Sequence, residues 1–199
     1  IEDYEIRFMI VFIVLVLLLI LYIVYENHTR NKELLKYAQT DALTGLYNKE
    51  TTEQLTDELL SEDENKSHAF LILDVDCFKQ INDIYGHAVG DIVLQKFGKL
   101  LKGTFREGDI LGRIGGDEFG VIMKNIQTKD IAMKKAGELL AKTQAYKIDE
   151  LKGNNISISI GISTAPQDGD CYMDLYKRAD QALYQAKRSG KARVCNYFS

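Results

Sequence analysis

The chain has little cysteine, and positive charge is not in excess. Its three cysteines, Cys77, Cys171 and Cys195, are scattered and odd in number, which excludes a disulfide framework and a C-x-x-C zinc site and indicates a reducing compartment. The formal net charge is −4, so the chain lacks the basic footprint of a nucleic-acid-binding protein, and no nucleic-acid partner is expected. An internal repeat is also lacking.

Apolar residues, in contrast, are sufficient for a core. With 199 residues and 46% hydrophobic content, the chain is long enough for one core-forming domain and an appendage. It begins with Ile1 rather than methionine, and we therefore expect it to be the C-terminal part of a longer protein.

Residues 8–25 contain no charged side chain and consist mainly of Ile, Val, Leu and Phe. At ~1.5 Å per residue, a helix over this run spans most of a ~30 Å hydrocarbon core, which predicts a transmembrane helix. A cleaved signal peptide and a buried core helix are the alternatives, but no small-residue cleavage site follows and no polar face interrupts the run. Lys and Arg are more frequent after the run than before it. We therefore expect residues 1–7 outside the cytoplasm, the C-terminal domain inside it, and a location in the cell membrane.

Residues 26–40 have the pattern of a polar helical linker, with Leu34, Leu35 and Ala38 at roughly helical spacing. The stretch is too short to establish a coiled coil. Two interpretations stay open: a signalling rod that pairs with its copy in a dimer, or a plain connector.

Residues 41–199 have the pattern of an α+β domain. Asn48 is a good N-cap for an amphipathic helix through Leu60, and residues 68–76 are an apolar run of strand length that ends in acid. Further helices are predicted at residues 78–84, 89–105, 128–146 and 173–188, and further strands at 109–114, 119–123, 156–162 and 193–198. This order predicts a mostly antiparallel five-stranded sheet with flanking helices.

The stretch RIGGDEF, residues 113–119, lies between two short apolar runs and predicts a β-hairpin. Gly115 and Gly116 would permit the positive φ values of a tight turn and would let a bulky charged ligand approach the backbone. Asp117 and Glu118 then lie at the tip, where two carboxylates indicate a bound cation, although a plain turn would also explain Gly-Gly-Asp.

Asp74 and Asp76 are expected on one face at the end of the preceding apolar strand, because side chains alternate along a strand. If that strand lies beside the hairpin, both would meet Asp117 and Glu118. Carboxylates at such close range raise one another's pKa unless a divalent cation neutralises them. Hard oxygen ligands without a His or Cys cluster indicate magnesium, and such a site suits phosphoryl or nucleotidyl transfer.

The chain resembles the GGDEF-domain diguanylate cyclases over residues 40–199. The resemblance rests on six ordered motifs: DALTGLYN at 41–48, DVDCFK at 74–79, Asn82-Asp83, Gly86-His87 with Gly90-Asp91, the hairpin, and Lys187-x-x-Gly190-Lys191. It implies a ferredoxin-like fold similar to nucleotidyl-cyclase and polymerase palms. It also implies condensation of two GTP to cyclic di-GMP with release of pyrophosphate by a homodimer, using magnesium or manganese, under control of an N-terminal sensor.

The resemblance also assigns roles to single residues. The metal ligands would be Asp74, the carbonyl of Val75, Asp117 and Glu118, of which Asp117 and Glu118 are also catalytic. The guanine base would be contacted by Asn82, His87 and Asp91, and the phosphates by Phe78, Lys79, Lys187 and Lys191. A carboxylate at Asp91 can accept from both N1–H and the exocyclic amine of guanine, which adenine does not offer. Lys187 and Lys191 share a face, and their alternative role is to complement the helix dipole.

Asp117 is the expected general base or metal activator for the ribose 3′-hydroxyl, and sequence does not separate the two. Arg106 and Asp109 have the R-x-x-D spacing and hairpin offset of the family's inhibitory product site, which predicts feedback by cyclic di-GMP; a surface ion pair is the alternative. Three positions depart from the family pattern: Cys77 replaces histidine, and Lys49 and Lys191 replace arginine. Lysine lacks the planar fork for phosphate, so weaker GTP binding is expected.

Two alternatives to a diguanylate cyclase share parts of this pattern. A GGDEF domain can bind GTP or cyclic di-GMP and signal without turnover. Such receptors usually lose some of the site residues that this chain retains, which are Asp74, Asn82, Asp91, Asp117 and Glu118. An enzyme making another cyclic nucleotide is disfavoured by Asn82 and Asp91, which are placed to recognise guanine.

Overall fold

The computed structural model describes residues 2–62 and 66–197, and the chain divides into two compact units. The first unit ends at Gln39 and the second begins at Thr40. The first unit consists of one helix, α1, Glu2–Gln39. Leu34 and Leu35, two of the three residues at helical spacing in the predicted linker, have side chains outside the part that the structure describes.

Within the described residues, none of the helices combines the length and the apolar character that a membrane crossing needs. This finding contradicts the predicted transmembrane helix at residues 8–25, the membrane as a partner, and the location in the cell membrane. The prediction relied on the lack of charge, and a helix over residues 8–25, at ~27 Å, is near the lower limit of length for a crossing.

The second unit follows the predicted order of helices and strands. Its elements are α2 (Lys49–Glu62), β1 (His68–Val75), α3 (Phe78–Tyr85), α4 (His87–Lys102), β2 (Ile110–Arg113), β3 (Glu118–Met123), α5 (Lys129–Ala145), β4 (Lys147–Ile148), a 3₁₀ turn (Asp149–Leu151), β5 (Asn154–Asn155), β6 (Ile158–Ala165), α6 (Tyr172–Arg188) and β7 (Val194–Asn196). Asn48 caps α2 as predicted, since its Oδ1 accepts from the Thr51 amide at 2.9 Å. The small β4–β5 pair was not predicted.

Five strands form the main sheet in the order β2-β3-β1-β6-β7. The pairs of β1 with β3 and β6, and of β2 with β3, are antiparallel, whereas β6 and β7 run parallel. The sheet is therefore mixed, which corrects the expectation of a mostly antiparallel one. The reason is the crossover helix α6 between β6 and β7, since a helical crossover connects parallel strands.

The sheet separates two apolar cores, and β1 contributes to both. Leu71 and Leu73 belong to a core that also contains residues of α4 and α5, while Phe70 and Ile72 belong to a core that also contains residues of α2 and α6. By the same alternation, Asp74 at the end of β1 lies on the α6 face. The end of β1 thus places the Asp74 carboxylate on the side of the sheet that α6 covers.

Small residues of β6 allow α6 to pack directly on the sheet. The α6 face of β6 carries Ser159, Gly161 and Ser163, and the Ser163 hydroxyl donates to the Leu175 carbonyl at 2.8 Å. A Cβ at Gly161 would lie 2.1 Å from the Ala179 carbonyl oxygen, so the strand has no room there for a side chain. This close approach fixes the distance from α6 to the end of β1.

Candidate active site

Asp74 and Glu118 are brought together by strand pairing. They are direct cross-strand partners at the end of the β1–β3 ladder. The Lys187 ammonium on α6 lies 2.7 Å from Oδ2 of Asp74, whose side chain is only 9% exposed. The predicted metal ligand and the predicted phosphate-binding lysine therefore form an ion pair in the free protein.

The surroundings of this cluster make the ionised forms of its carboxyl groups unfavourable. Burial raises the pKa of Asp74, Lys187 opposes that rise, and the charges of Asp117 and Asp76 add to it. Burial also raises the pKa of Glu118, and the Asp74 charge raises it further. The cluster thus carries more negative charge than the protein itself compensates, as expected of a site for a cation.

The hairpin tip is a four-residue loop between β2 and β3. The amides of Ile114 and Gly115 both donate to the Glu118 carbonyl, at 3.0 and 3.2 Å. Neither Gly115 nor Gly116 has a φ in the left-handed region, so the predicted need for positive φ was wrong. A Cβ at Gly115 would lie 3.0 Å from the Glu118 carboxylate, whereas one at Gly116 would meet nothing within 4 Å.

Asp117 lies at this tip beside the end of β1, because its carbonyl accepts from the Val75 amide at 3.2 Å. The three predicted carboxylate ligands are neighbours, but they are not gathered around one point. Among the described residues, the one group of three metal-ligating side chains with donor atoms within 4.8 Å is Asp170, Cys171 and Asp174, at the start of α6.

Asp76 was expected to join the acidic cluster, yet its carboxylate is directed elsewhere. Oδ1 accepts from the Ser159 hydroxyl at 2.7 Å, and Oδ2 accepts from the Ser157 hydroxyl at 2.6 Å and the Ala192 amide at 3.1 Å. The two serines were part of the predicted strand pattern, but nothing local connected them with Asp76.

The residues predicted to bind guanine lie where α3 meets α4. Oδ1 of Asn82 is buried without a hydrogen-bond partner in the described part of the chain. It lies against Gly90, where a Cβ would be only 1.9 Å away. Asn82 is therefore next to the turn of α4 that carries Asp91, and both His87 and Asp91 are exposed.

Three of the four residues predicted to bind phosphate lie at or near the start of α3, and the fourth, Lys187, pairs with Asp74. Phe78 and Lys79 form its first turn, where backbone amides lack intrahelical partners. Cys77, just before it, has φ 59° and is exposed. The Lys191 ammonium lies 3.1 Å from Cys77 Sγ. Lys191 follows α6 rather than belonging to it, so Lys187 and Lys191 do not share a helix face.

The role of Arg113 was not predicted from the sequence. Its guanidinium donates to the Gly116 carbonyl at 2.7 Å and to Oδ2 of Asp41 at 3.1 Å. Burial alone would raise the pKa of Asp41, but hydrogen bonds from Thr44 and the Arg113 charge outweigh it and lower that pKa. Arg113 thus ties the hairpin tip to the first turn of the domain. The sequence signal for this contact was an arginine two positions before the glycine pair.

Arg106 and Asp109 lie at the opposite end of β2 from the hairpin tip. Both carboxylate oxygens of Asp109 accept from backbone amides, those of Arg106 and Lys124, at 3.1 Å. Asp109 therefore fixes the turn rather than pairing with the Arg106 guanidinium. The two residues line a cleft of about 270 Å³ together with Lys134 and other residues of α5.

Comparison with known proteins shows the family of the chain. Residues 38–193 match the family described as "Diguanylate cyclase, GGDEF domain", and the chain therefore belongs to the GGDEF family. Diguanylate cyclase A of Treponema denticola is 37% identical over 171 residues, which cover 82% of this chain and 46% of the relative. The chain spans about half the length, or less, of the curated relatives it matches.

Solved structures show the same fold. The GGDEF domain of TpbB (YfiN) from Pseudomonas aeruginosa aligns with a TM-score of 0.75 and 33% identity, covering 80% of this chain and 94% of that one. The GGDEF domain of DgcB from Caulobacter crescentus, in complex with c-di-GMP, aligns with a TM-score of 0.75 and 26% identity, covering 81% and 94%. The predicted palm-like α+β fold is confirmed.

Proposed function

We propose that this chain is the catalytic part of a diguanylate cyclase that condenses two GTP to cyclic di-GMP and pyrophosphate. The observation that carries the proposal is the joint placement of Asp74, Asp117, Glu118 and Lys187 at one end of the sheet. In a GGDEF-family chain, this is a set of acids and a cation suited to a nucleoside triphosphate.

The donor set fits a divalent cation of the magnesium type. Asp74, Asp117 and Glu118, with the Val75 carbonyl, would hold magnesium or manganese through oxygen atoms. The raised pKa values of Asp74 and Glu118 support this assignment, because burial, with a smaller contribution from neighbouring carboxylates, makes their ionised forms unfavourable in the absence of a cation. When bound, the cation lowers the pKa of the attacking hydroxyl and neutralises phosphate charge.

The protein residues would orient the substrate and manage its proton. Asp91 and Asn82 would select guanine at the α3–α4 junction, while the first amides of α3, Lys187 and Lys191 would bind the phosphates. Asp117 would accept the proton of the ribose 3′-hydroxyl or polarise that hydroxyl. For the Lys187 ammonium to bind phosphate, it must either break its ion pair with Asp74 or contact the phosphate and Asp74 together.

Two copies of the domain are needed for the product. Cyclic di-GMP contains two guanylate units, and residues 40–197 carry a single set of guanine-binding candidates. We therefore propose a homodimer in which each subunit presents one GTP. Control by an N-terminal sensor is also proposed, supported by relatives about twice as long as the stretch they share with this chain.

Feedback inhibition by cyclic di-GMP at Arg106 and Asp109 completes the proposal. In its support, the fixed Asp109 carboxylate leaves the Arg106 side chain without an ion pair to Asp109, beside a cleft that also offers Lys134. The site lies at the far end of β2 and β3, the two strands that hold the catalytic hairpin.

Incubation of purified protein with GTP and magnesium, followed by chromatographic identification of the products, tests the function. We expect cyclic di-GMP from the wild type, and at least a 10³-fold lower rate from Asp117→Ala with an unchanged circular dichroism spectrum. Asp130→Asn, an exposed acid in the first turn of α5, is the matched control and should retain activity.

The outcomes separate the competing functions. Binding of GTP or cyclic di-GMP without turnover by the wild type would support a receptor domain. Turnover by a folded Asp117→Ala variant would refute the role of Asp117.

A further inference from the structure

Asp76 directly follows β1, and both of its carboxylate oxygens accept hydrogen bonds from the protein. The residue is 7% exposed, and its carboxylate accepts three hydrogen bonds. Two come from hydroxyls of Ser157 and Ser159 at the start of β6, and the third comes from the Ala192 amide. A carboxylate with both oxygens engaged in this way has little remaining capacity for a metal ion.

The third hydrogen bond reaches the segment that carries Lys191. Lys191 and Ala192 have φ of 62° and 49°, two consecutive residues in the left-handed region. Non-glycine residues adopt this conformation only when the surroundings hold them there. The Lys191 amide donates to the Ala186 carbonyl at 3.0 Å, and Ala192 is bound through Asp76. Asp76 thus helps to fix a strained turn after α6.

The turn determines where the Lys191 ammonium lies. In the free protein it is 3.1 Å from Cys77 Sγ, directly before the first turn of α3. The proposed triphosphate would bind at this turn, so a lysine held here meets phosphate without first being ordered.

We propose that Asp76 is a positioning residue for the triphosphate: it anchors the turn after α6 so that Lys191 faces the start of α3, and it does not bind the metal. This inference rests on the proposed function and assigns Asp76 a task separate from that of Asp74, two residues earlier on the same strand.

Replacement by asparagine or alanine distinguishes positioning from metal binding. In Asp76→Asn, the amide oxygen can accept from Ser157 and Ala192 while the amide nitrogen donates to the Ser159 hydroxyl, so all three hydrogen bonds survive. We expect a KM for GTP within about threefold of wild type and an unchanged magnesium dependence. Asp76→Ala loses the anchor, and its KM should rise about tenfold. A large shift in the magnesium requirement of Asp76→Asn would overturn the proposal.

A double-mutant cycle with Lys191 tests whether Asp76 acts through that residue. If it does, Asp76→Ala should raise the KM far less in a Lys191→Ala background than in the wild type, because the positioned group is already absent. Equal effects in both backgrounds would refute positioning. Should Asp76→Ala prove too unstable to assay, Ser157→Ala removes one of the supporting hydroxyls and should give the same pattern, with a rise of about threefold.

Asp168 provides the matched control. It is 1% exposed, and its Oδ2 accepts from the amide and hydroxyl of Thr164 at the opposite end of β6. Asp168→Ala should lower stability but leave the KM for GTP unchanged. A comparable rise in KM would mean that loss of any buried aspartate has this effect.

Hydrogen exchange of the Ala192 amide tests the anchor without GTP or metal. We expect exchange at least tenfold faster in Asp76→Ala than in wild type or Asp76→Asn. Unchanged protection in Asp76→Ala would refute the anchor. Absence of cyclic di-GMP from the wild type would instead refute the proposed function, so the two failures are distinguishable.

Discussion

The Asp74–Lys187 ion pair allows a quantitative prediction for Lys187→Met. The two charged groups lie 2.7 Å apart, with side chains 9% and 35% exposed. At an effective dielectric constant of ~20, their gross attraction is about 6 kcal/mol. Desolvation and solvent screening of the partly exposed lysine cancel most of it. We expect a net loss of about 2 kcal/mol in the free energy of unfolding, or about 4–8 °C in Tm.

The loss should depend on pH and on magnesium. Removal of Lys187 leaves Asp74 among acids that already raise its pKa. The variant should therefore lose most stability where Asp74 is ionised, at pH 8, and progressively less as the pH falls and the carboxyl is protonated. Magnesium would replace the missing positive charge, so it should stabilise Lys187→Met more than the wild type.

Urea denaturation with EDTA or magnesium, from pH 5 to 8, measures these effects. Arg188→Met is the matched control, since Arg188 is exposed and lies over the Tyr184 ring at 5.7 Å; we expect a change below about 0.5 kcal/mol. Adding Asp74→Asn to Lys187→Met should recover most of the loss. A loss independent of pH and magnesium would show that Lys187 acts through packing alone and would refute the electrostatic reasoning.

Three further predictions concern other parts of the domain. Gly161→Ala should lower the free energy of unfolding in urea by about 3 kcal/mol, because its Cβ would collide with the α6 backbone. Gly137→Ala, with open space around the new Cβ, should not lower it. Equal losses in the two variants would contradict this packing. Glu118→Gln should raise the free energy of unfolding by about 1 kcal/mol at neutral pH in EDTA, because the raised pKa of Glu118 makes its ionisation destabilising as pH rises. No increase in stability at pH 7, or the same increase at acidic pH, would contradict this prediction. Arg106→Ala should raise the inhibition constant for added cyclic di-GMP at least tenfold in steady-state kinetics, whereas unchanged inhibition would remove Arg106 from the product site.

Regular periodicity made most of the fold predictable. The apolar run at residues 68–75 and the Ile/Ser/Gly alternation in β6 identified two central strands, and strand alternation correctly directed Asp74 toward the hairpin acids. The two-residue strands β4 and β5 were missed because so short a segment has no period. The parallel pairing of β7 depends on the crossover by α6, which is a tertiary property.

The site was less predictable where contacts between residues far apart in the sequence determine what a side chain binds. Asp74 and Asp76 look equivalent in the sequence, but hydroxyls more than 80 positions later engage only Asp76. Likewise, the sequence did not show that Asp109 fixes its own turn, in which its two carboxylate oxygens accept from the amides of Arg106 and Lys124. The glycines of the hairpin suggested an unusual backbone, yet a four-residue loop closes without it.

The surroundings of Gly116 have a consequence for how its substitution should be interpreted. Its backbone is ordinary, and an added methyl group would meet no neighbour within 4 Å. An alanine there is therefore tolerated by the resting domain. If Gly116→Ala nevertheless lowers the rate of turnover, the added methyl group must collide with a nucleotide or a second subunit that is present only during turnover. Such a loss would show that this partner closely approaches the backbone of Gly116.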